Sequence, residues 1–92
     1  MKIGLIIPAR FESTRFPGKP LALISGKPMI WHVWSRCILA IDPKDVYIAT
    51  ESTKIKDAAE LFGAKVIMTS SKCLTGTDRI AEANQQLDYD FV

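Results

Sequence analysis

No uncharged stretch in these 92 residues approaches the roughly 18 to 20 apolar residues of a membrane-spanning helix. Met1-Lys2 leads straight into a short β-like run, without the charged start and apolar stretch of a signal peptide. The expectation is a cytoplasmic protein with no membrane partner. Cysteine is scarce: Cys37 and Cys73 stand far apart, no C-x-x-C occurs, and His32 is the only histidine. That spacing matches neither a zinc site nor a disulfide framework, so the thiols are expected to be free and no metal ligand is assigned. Acid is almost missing from the first part of the chain. Lys2, Arg10, Arg15, Lys19, Lys27 and Arg36 are opposed there by Glu12 alone, whereas acids dominate afterwards. These cations form no helical or aromatic-interleaved stripe, which argues against nucleic acid and for a compact anion. Two nucleotide motifs are missing as well. Gly18-Lys19-Pro20 lacks the earlier glycine and the following Ser or Thr of a P-loop, and no G-x-G-x-x-G occurs.

With 48% hydrophobic and 24% charged residues, the composition is that of a folded domain rather than a disordered chain. Its most informative stretch is I-I-P-A-R-F-E-S-T-R-F-P-G-K-P-L, from Ile6 to Leu21. Here an apolar strand runs into a loop with Arg10, Arg15 and Lys19 set among Pro8, Pro17, Gly18 and Pro20. Three cations so crowded repel one another unless anionic oxygens lie between them, and a nucleoside triphosphate supplies such oxygens. Arg10 and Arg15 offer planar forks and Lys19 a point charge, with Ser13 and backbone N–H groups to complete the cradle. The alternative is a set of solvated surface cations.

Ile3 to Ile7 is a continuous apolar run suited to a strand buried on both faces, with Pro8 expected to end it. Turn signals punctuate the path to Lys27, leaving Leu21 to Ile24 as a brief extended piece. Pro28 suits the first position of a helix reaching about Ala40. Met29, Val33, Cys37 and Ala40, with Ile30, Trp34, Ile38 and Ile41 beside them, predict a wide apolar face, and Asp42-Pro43 closes the helix. Val46 to Ala49 is a second strand, followed by a helix capped by Ser52 that carries Ile55, Ala58, Ala59 and Phe62 on one face and ends at Gly63. Lys65 to Met68 makes a third strand before the polar loop Thr69 to Leu74. Thr75 to Asp78 fits a capping box for a helix with Ile80, Ala83 and Leu87 at helical spacing, and Tyr89 to Val92 opens a fourth strand. The alternation predicts an α/β fold, a parallel sheet with right-handed crossovers. Ligands of such sheets gather beyond the carboxyl ends of the strands, where Pro8 to Lys19 and Ser70 to Arg79 both begin.

The second loop holds Leu74-Thr75-Gly76-Thr77-Asp78-Arg79. Hydroxyls, free helix N–H groups and a guanidinium suit the polar edge of a base. A plain helix cap, with Arg79 in a surface pair with Glu82 or Glu51, is the competing account. Trp31, His32 and Trp34 are expected on the helix that covers the sheet rather than in a base-stacking platform.

The segments I-P-A-R-x-x-S-T-R-x-P-G-K-P-L, G-K-P-M-I-x-H-V, A-T-E and T-G-T-D-R-I-A-E-A occur in this order along nearly the whole chain. Together they resemble the 3-deoxy-manno-octulosonate (Kdo) cytidylyltransferases, or CMP-Kdo synthetases. The sialic-acid cytidylyltransferases share the I-P-A-R opening, and P-G-K-P-L favours the Kdo branch. The resemblance implies the first part of a nucleotide-diphospho-sugar transferase, Rossmann-like fold, with residues 1–92 as the amino-terminal CTP-binding portion of a larger single-domain enzyme. It implies transfer of CMP from CTP to Kdo, releasing pyrophosphate, for lipopolysaccharide synthesis. Arg10, Ser13, Arg15 and Lys19 would hold the triphosphate, with Arg10 and Lys19 in the catalytic role. Pro8 and Ala9, through their backbone, would read cytosine with Thr75, Thr77 and Arg79. An 8-amino Kdo analogue, a sialic-acid-like sugar, or a non-catalytic nucleotide-binding module are the alternatives. Two departures stand out: Glu51 occupies a position where the family commonly has Asp, and the family's Q-G-D-E-P, whose aspartate holds magnesium, is expected beyond Val92. A homodimer is implied for the full-length protein.

Overall fold

The computed structural model describes residues 3–11, 18–70 and 76–87. Three parallel strands make its sheet: β1 (Leu5–Ala9), β4 (Val46–Thr50) and β5 (Lys65–Met68), in the order β1-β4-β5. Ile7 stands opposite Ile48, which stands opposite Val66. Successive side chains leave a strand on opposite faces, so each strand feeds two cores. On one face Ile7, Ala9, Val46 and Ile48 meet Ile30 of α1 (Met29–Ala40) and Ile55 and Ala59 of α2 (Thr53–Leu61). On the other, Ile6 and Ala49 meet Ala83 of α3 (Gly76–Leu87), with Ile67, Ile80 and Leu87 around them. Both crossovers move the same way across the sheet and set their helices on one face, as connections of a single hand must. Helix α3 then returns on the opposite face to pack on β1 and β4. This reversal brings its start above the carboxyl end of β1, the kind of switch point at which open α/β sheets bind ligands.

Several boundaries differ from those expected. β1 begins at Leu5 and runs through Pro8, which pairs with Ala49, instead of stopping before the proline. It is an edge strand of the described sheet, where a residue without an N–H is tolerated. A 3-10 turn occupies Lys19–Leu21, and the extended piece is a small antiparallel hairpin of β2 (Leu23–Ile24) and β3 (Lys27–Pro28). Its two-residue turn places Ser25 and Gly26 at φ 52° and 82°, the left-handed pair that matches the twist of a tight hairpin. Pro28 therefore ends a strand with ψ 146° and caps α1 rather than starting it.

The face of α1 is also narrower than expected. Ile30, Trp34, Cys37, Ile38 and Ile41 line the core, whereas Val33 and Ala40 are exposed. Trp34 packs on Phe62 of the second crossover at 5.0 Å between rings. Trp31 is absent from that core and stands under Lys27 Nζ, 5.5 Å from the ring centre. His32 donates from Nε2 to the Ile24 carbonyl at 2.7 Å, tying α1 to the hairpin, so its role here is structural. Cys37 is a half-buried free thiol; Cys73 and the expected fourth strand lie outside the described residues.

Helix α1 ends at Ala40 with Ile41 as its C-cap, and Asp42 caps the short turn after it, accepting from the Lys44 N–H at 3.1 Å. Ser52 caps α2 as the sequence predicts, its hydroxyl accepting from the Ile55 N–H at 3.4 Å. Because α2 is only nine residues long, its N-terminus is costly to lose. Ser52→Ala should lower stability by about 1 kcal/mol in urea unfolding, and Ser52→Asp should restore it. Equal midpoints for parent and Ser52→Ala would remove the cap from the account of α2.

Candidate active site

The carboxyl ends of the three strands converge on the polar loops. At the end of β1, Pro8 is exposed, Ala9 is buried and Arg10 projects into solvent. The chain then passes Phe11 and comes back at Gly18, whose N–H donates to the Phe11 carbonyl at 2.7 Å. This bond closes the neck of the cation loop. Arg10 precedes the neck and Lys19 follows it, both exposed. Gly18 adopts φ 72°, and a Cβ there would lie 3.1 Å from the Phe11 ring, so only glycine suits this crossing. Ser13 and Arg15 lie outside the described residues.

At the end of β4 a buried threonine organises the turn. Thr50 is fully buried, and its hydroxyl accepts from the Ser52 N–H at 3.2 Å and donates to Glu51 Oε1 at 3.3 Å. The same carboxylate oxygen accepts from the Phe11 N–H at 3.0 Å. Glu51 is thus bound to the neck of the first loop and not in a surface pair with Arg79. Sequence reasoning assigned it no such task, although its place directly beyond a strand end was a signal. Phe11, Glu51, Ser52, Thr53 and Lys54 line a cavity of about 240 Å³, with Lys54 Nζ 5.2 Å above the Phe11 ring.

Helix α3 supplies the third side. A Cβ on Gly76 would stand 3.4 Å from Pro8 Cγ, so the start of α3 lies against the end of β1. Thr77 is exposed in the first turn of α3, while Thr75 is outside the described residues. Arg79 is only 2% exposed. Its Nη1 donates to the Thr69 hydroxyl and, at 3.3 Å, to the Ser70 carbonyl. Glu82 accepts from the Ser70 N–H at 2.6 Å, and Gln86 donates to the Met68 carbonyl at 3.3 Å. Residues 79, 82 and 86 share one helical face and together grip the carboxyl end of β5. The surface pairing envisaged for Arg79 gives way to burial, because the guanidinium finds acceptors in the Thr69 hydroxyl and the Ser70 carbonyl just past the end of β5.

A closed-neck cation loop beside a hydroxyl-bearing helix start is an arrangement suited to a nucleoside triphosphate. Comparison with known proteins decides the family, since a cytidylyltransferase family model matches residues 5–91. The chain belongs to the cytidylyltransferase family. It is 58% identical over 87 residues to the 8-amino-3,8-dideoxy-manno-octulosonate cytidylyltransferase of Shewanella piezotolerans, covering 95% of this chain and 36% of that protein. The enzyme of the same name from Shewanella halifaxensis is 56% identical, covering 100% of this chain and 39% of its own length. Among solved structures, a CMP:2-keto-3-deoxy-manno-octonic acid synthetase complexed with CTP superposes with a TM-score of 0.87 at 40% identity, covering 99% of this chain and 38% of that one. A cytidylyltransferase from Leptospira borgpetersenii superposes at 0.82 with 26% identity, covering 98% of this chain and 39% of that one. The chain therefore spans about two fifths of the length of the relatives it matches, and these cytidylyltransferases share its α/β sheet.

Proposed function

We propose that residues 1–92 are the CTP-binding portion of a cytidylyltransferase that joins CMP to an acid sugar of the 3-deoxy-manno-octulosonate class and releases pyrophosphate. The observation that supports this reading is the approach of Gly76 to Pro8, which puts the start of α3, with its exposed Thr77, against the strand end that leads into the exposed Arg10. The solved relative complexed with CTP supports the choice of nucleotide. Arg10 and Lys19, with Ser13 and Arg15, hold the triphosphate. The Pro8 and Ala9 backbone, Thr75 and Thr77 face the cytosine, and Arg79 supports that surface from its buried side.

The anomeric hydroxyl of the sugar attacks the α-phosphorus, and the bond to the β-phosphate oxygen breaks as pyrophosphate leaves. The contribution of this chain is to align the triphosphate for in-line attack and to offset the charge that grows on the leaving group. Among the described residues no group of three or more His, Cys, Asp or Glu could hold a metal ion. The ligand for the magnesium that the family resemblance implies is assigned beyond Val92, and the steps given to this chain use its own cations. Among the described residues no helix is long and apolar enough to cross a membrane. The proposal includes synthesis of a lipopolysaccharide precursor in the cytoplasm by a homodimer of the full-length protein.

Two sugars remain in view for a specific reason. The relatives at 58% and 56% identity carry the 8-amino name, while the CTP-complexed relative at 40% carries the unsubstituted one. Pyrophosphate release by the full-length protein, with CTP and each sugar in turn, separates them. Titration of CTP, UTP, ATP and GTP against tryptophan fluorescence tests the nucleotide half, and no preference for CTP would sink it. Arg10→Ala and Lys19→Ala should each weaken CTP binding by about 1.5 to 3 kcal/mol, the loss of one charge-assisted contact. Unchanged affinity would return the loop to solvated surface cations.

A further inference from the structure

We infer that Glu51 is a positioning residue that sets Arg10 and Lys19 for the triphosphate by holding the Phe11–Gly18 neck between them, an inference resting on the CTP reading above. Phe11 has both backbone groups engaged, its N–H by Glu51 Oε1 at 3.0 Å and its carbonyl by the Gly18 N–H at 2.7 Å. The two bonds act in series: β4 holds Phe11, and Phe11 holds Gly18. Arg10 and Lys19 are the residues immediately outside this clamp, so the clamp limits where their side chains start. The acceptor is itself braced. Thr50, fully buried at the end of β4, donates to the same carboxylate oxygen, and the backbone turns straight into the α2 cap at Ser52. The half-buried Phe11 ring also lies close to Gly18 and 5.2 Å from Lys54 Nζ.

The contact matters because Arg10 and Lys19, the like charges that flank the neck, repel one another and separate when nothing holds Phe11 and Gly18 together. Each cation that is already aimed before the ligand arrives loses less freedom on binding, so the anchor strengthens affinity without touching the nucleotide. What the anchor needs from residue 51 is an acceptor oxygen at glutamate reach, not a charge. Glutamine provides that oxygen and alanine does not.

The experiment compares parent, Glu51→Gln and Glu51→Ala in the full-length protein, reading CTP affinity, KM and kcat for pyrophosphate release, and amide hydrogen exchange at Phe11 and Gly18. Glu51→Ala should raise the Kd and KM for CTP about tenfold, with a smaller change in kcat, and should deprotect both amides. Glu51→Gln should restore affinity and protection to within about twofold. An alanine variant with parental affinity would overturn the inference, as would a glutamine variant as weak as alanine, which would mean the charge itself meets the ligand or a metal. The exchange arm needs no nucleotide. If the parent does not bind CTP, the functional reading falls, while protection that is lost in Glu51→Ala and kept in Glu51→Gln still supports the clamp, and protection indifferent to residue 51 overturns it.

Discussion

Ile48→Ala should cost about 3 to 4 kcal/mol, the largest loss expected from a single apolar truncation in this chain. Ile48 is fully buried in the middle strand, flanked in register by Ile7 and Val66 and covered by α1 and α2. Truncation removes three carbons from a place where a sheet and two helices meet, and neighbours braced on so many sides relax little into the gap. Domains of this size have a total stability on the order of 5 to 14 kcal/mol, so the loss is a large fraction of the whole. The midpoint of thermal unfolding should fall by about 15 to 25 °C, followed by far-ultraviolet circular dichroism. Leu61, 90% exposed at the end of α2, is the control. Its truncation should change stability by less than about 0.5 kcal/mol. A loss under about 1 kcal/mol at Ile48 would mean that the core is not centred on β4.

The centrality of β4 was legible from composition, because Val46 to Ala49 is uniformly apolar and bounded by polar turns, the mark of a strand covered on both faces. Helix α2 was equally legible, since Ser52 opens it, Gly63 follows it, and Ile55, Ala58, Ala59 and Phe62 repeat at its period. Periodicity failed where the elements were too short to show one. Two-residue strands such as β2 and β3 carry no alternation, and the turn between them uses Ser25 at φ 52°, a residue that does not advertise a left-handed backbone. The end of β1 was misplaced by two residues, at Ile7 instead of Ala9, because a proline usually ends a strand, a rule that weakens at an edge.

In the candidate site, the cation loop showed itself through charge and proline, which are local properties. Glu51 did not, because its contact with Phe11 spans forty residues of sequence and depends on the order of strands in the sheet. The two polar loops were expected to share one end of the sheet, and the contact of Gly76 with Pro8 adds the proximity that topology alone left open. Arg79 is the instructive case. It stands four residues before Ala83, on the face of α3 that packs against the sheet, so the spacing already pointed inward. The prior that charged side chains stay in water pointed outward. Acceptors on Thr69 and Ser70, just past the end of β5 at Met68, decide the matter, since they accept what the guanidinium donates.

Arg79→Met should therefore lower stability by about 2 to 4 kcal/mol in urea unfolding, although it preserves much of the side chain's length and volume. The cost arises in two ways. Charge-assisted bonds are lost, and the buried Thr69 hydroxyl and the Ser70 carbonyl lose a donor that water cannot readily replace, so part of the penalty is desolvation without compensation. Arg79→Lys should recover only part of it, because an ammonium on a shorter, flexible stem is not held where Nη1 stands, the one nitrogen that donates to both the hydroxyl and the carbonyl. Nucleotide binding then distinguishes support from direct contact. If Arg79 acts by bracing Thr69 and Ser70, CTP and UTP affinities fall in parallel in Arg79→Met and the preference between them survives. If the guanidinium itself reads the base, the preference collapses while stability changes by less than about 1 kcal/mol. Its burial at 2% exposure and the engagement of Nη1 by the end of β5 favour the first outcome. Thr77→Ala supplies the opposite pattern: exposed in the first turn of α3, Thr77 should leave unfolding unchanged within about 0.5 kcal/mol and lower the preference for CTP.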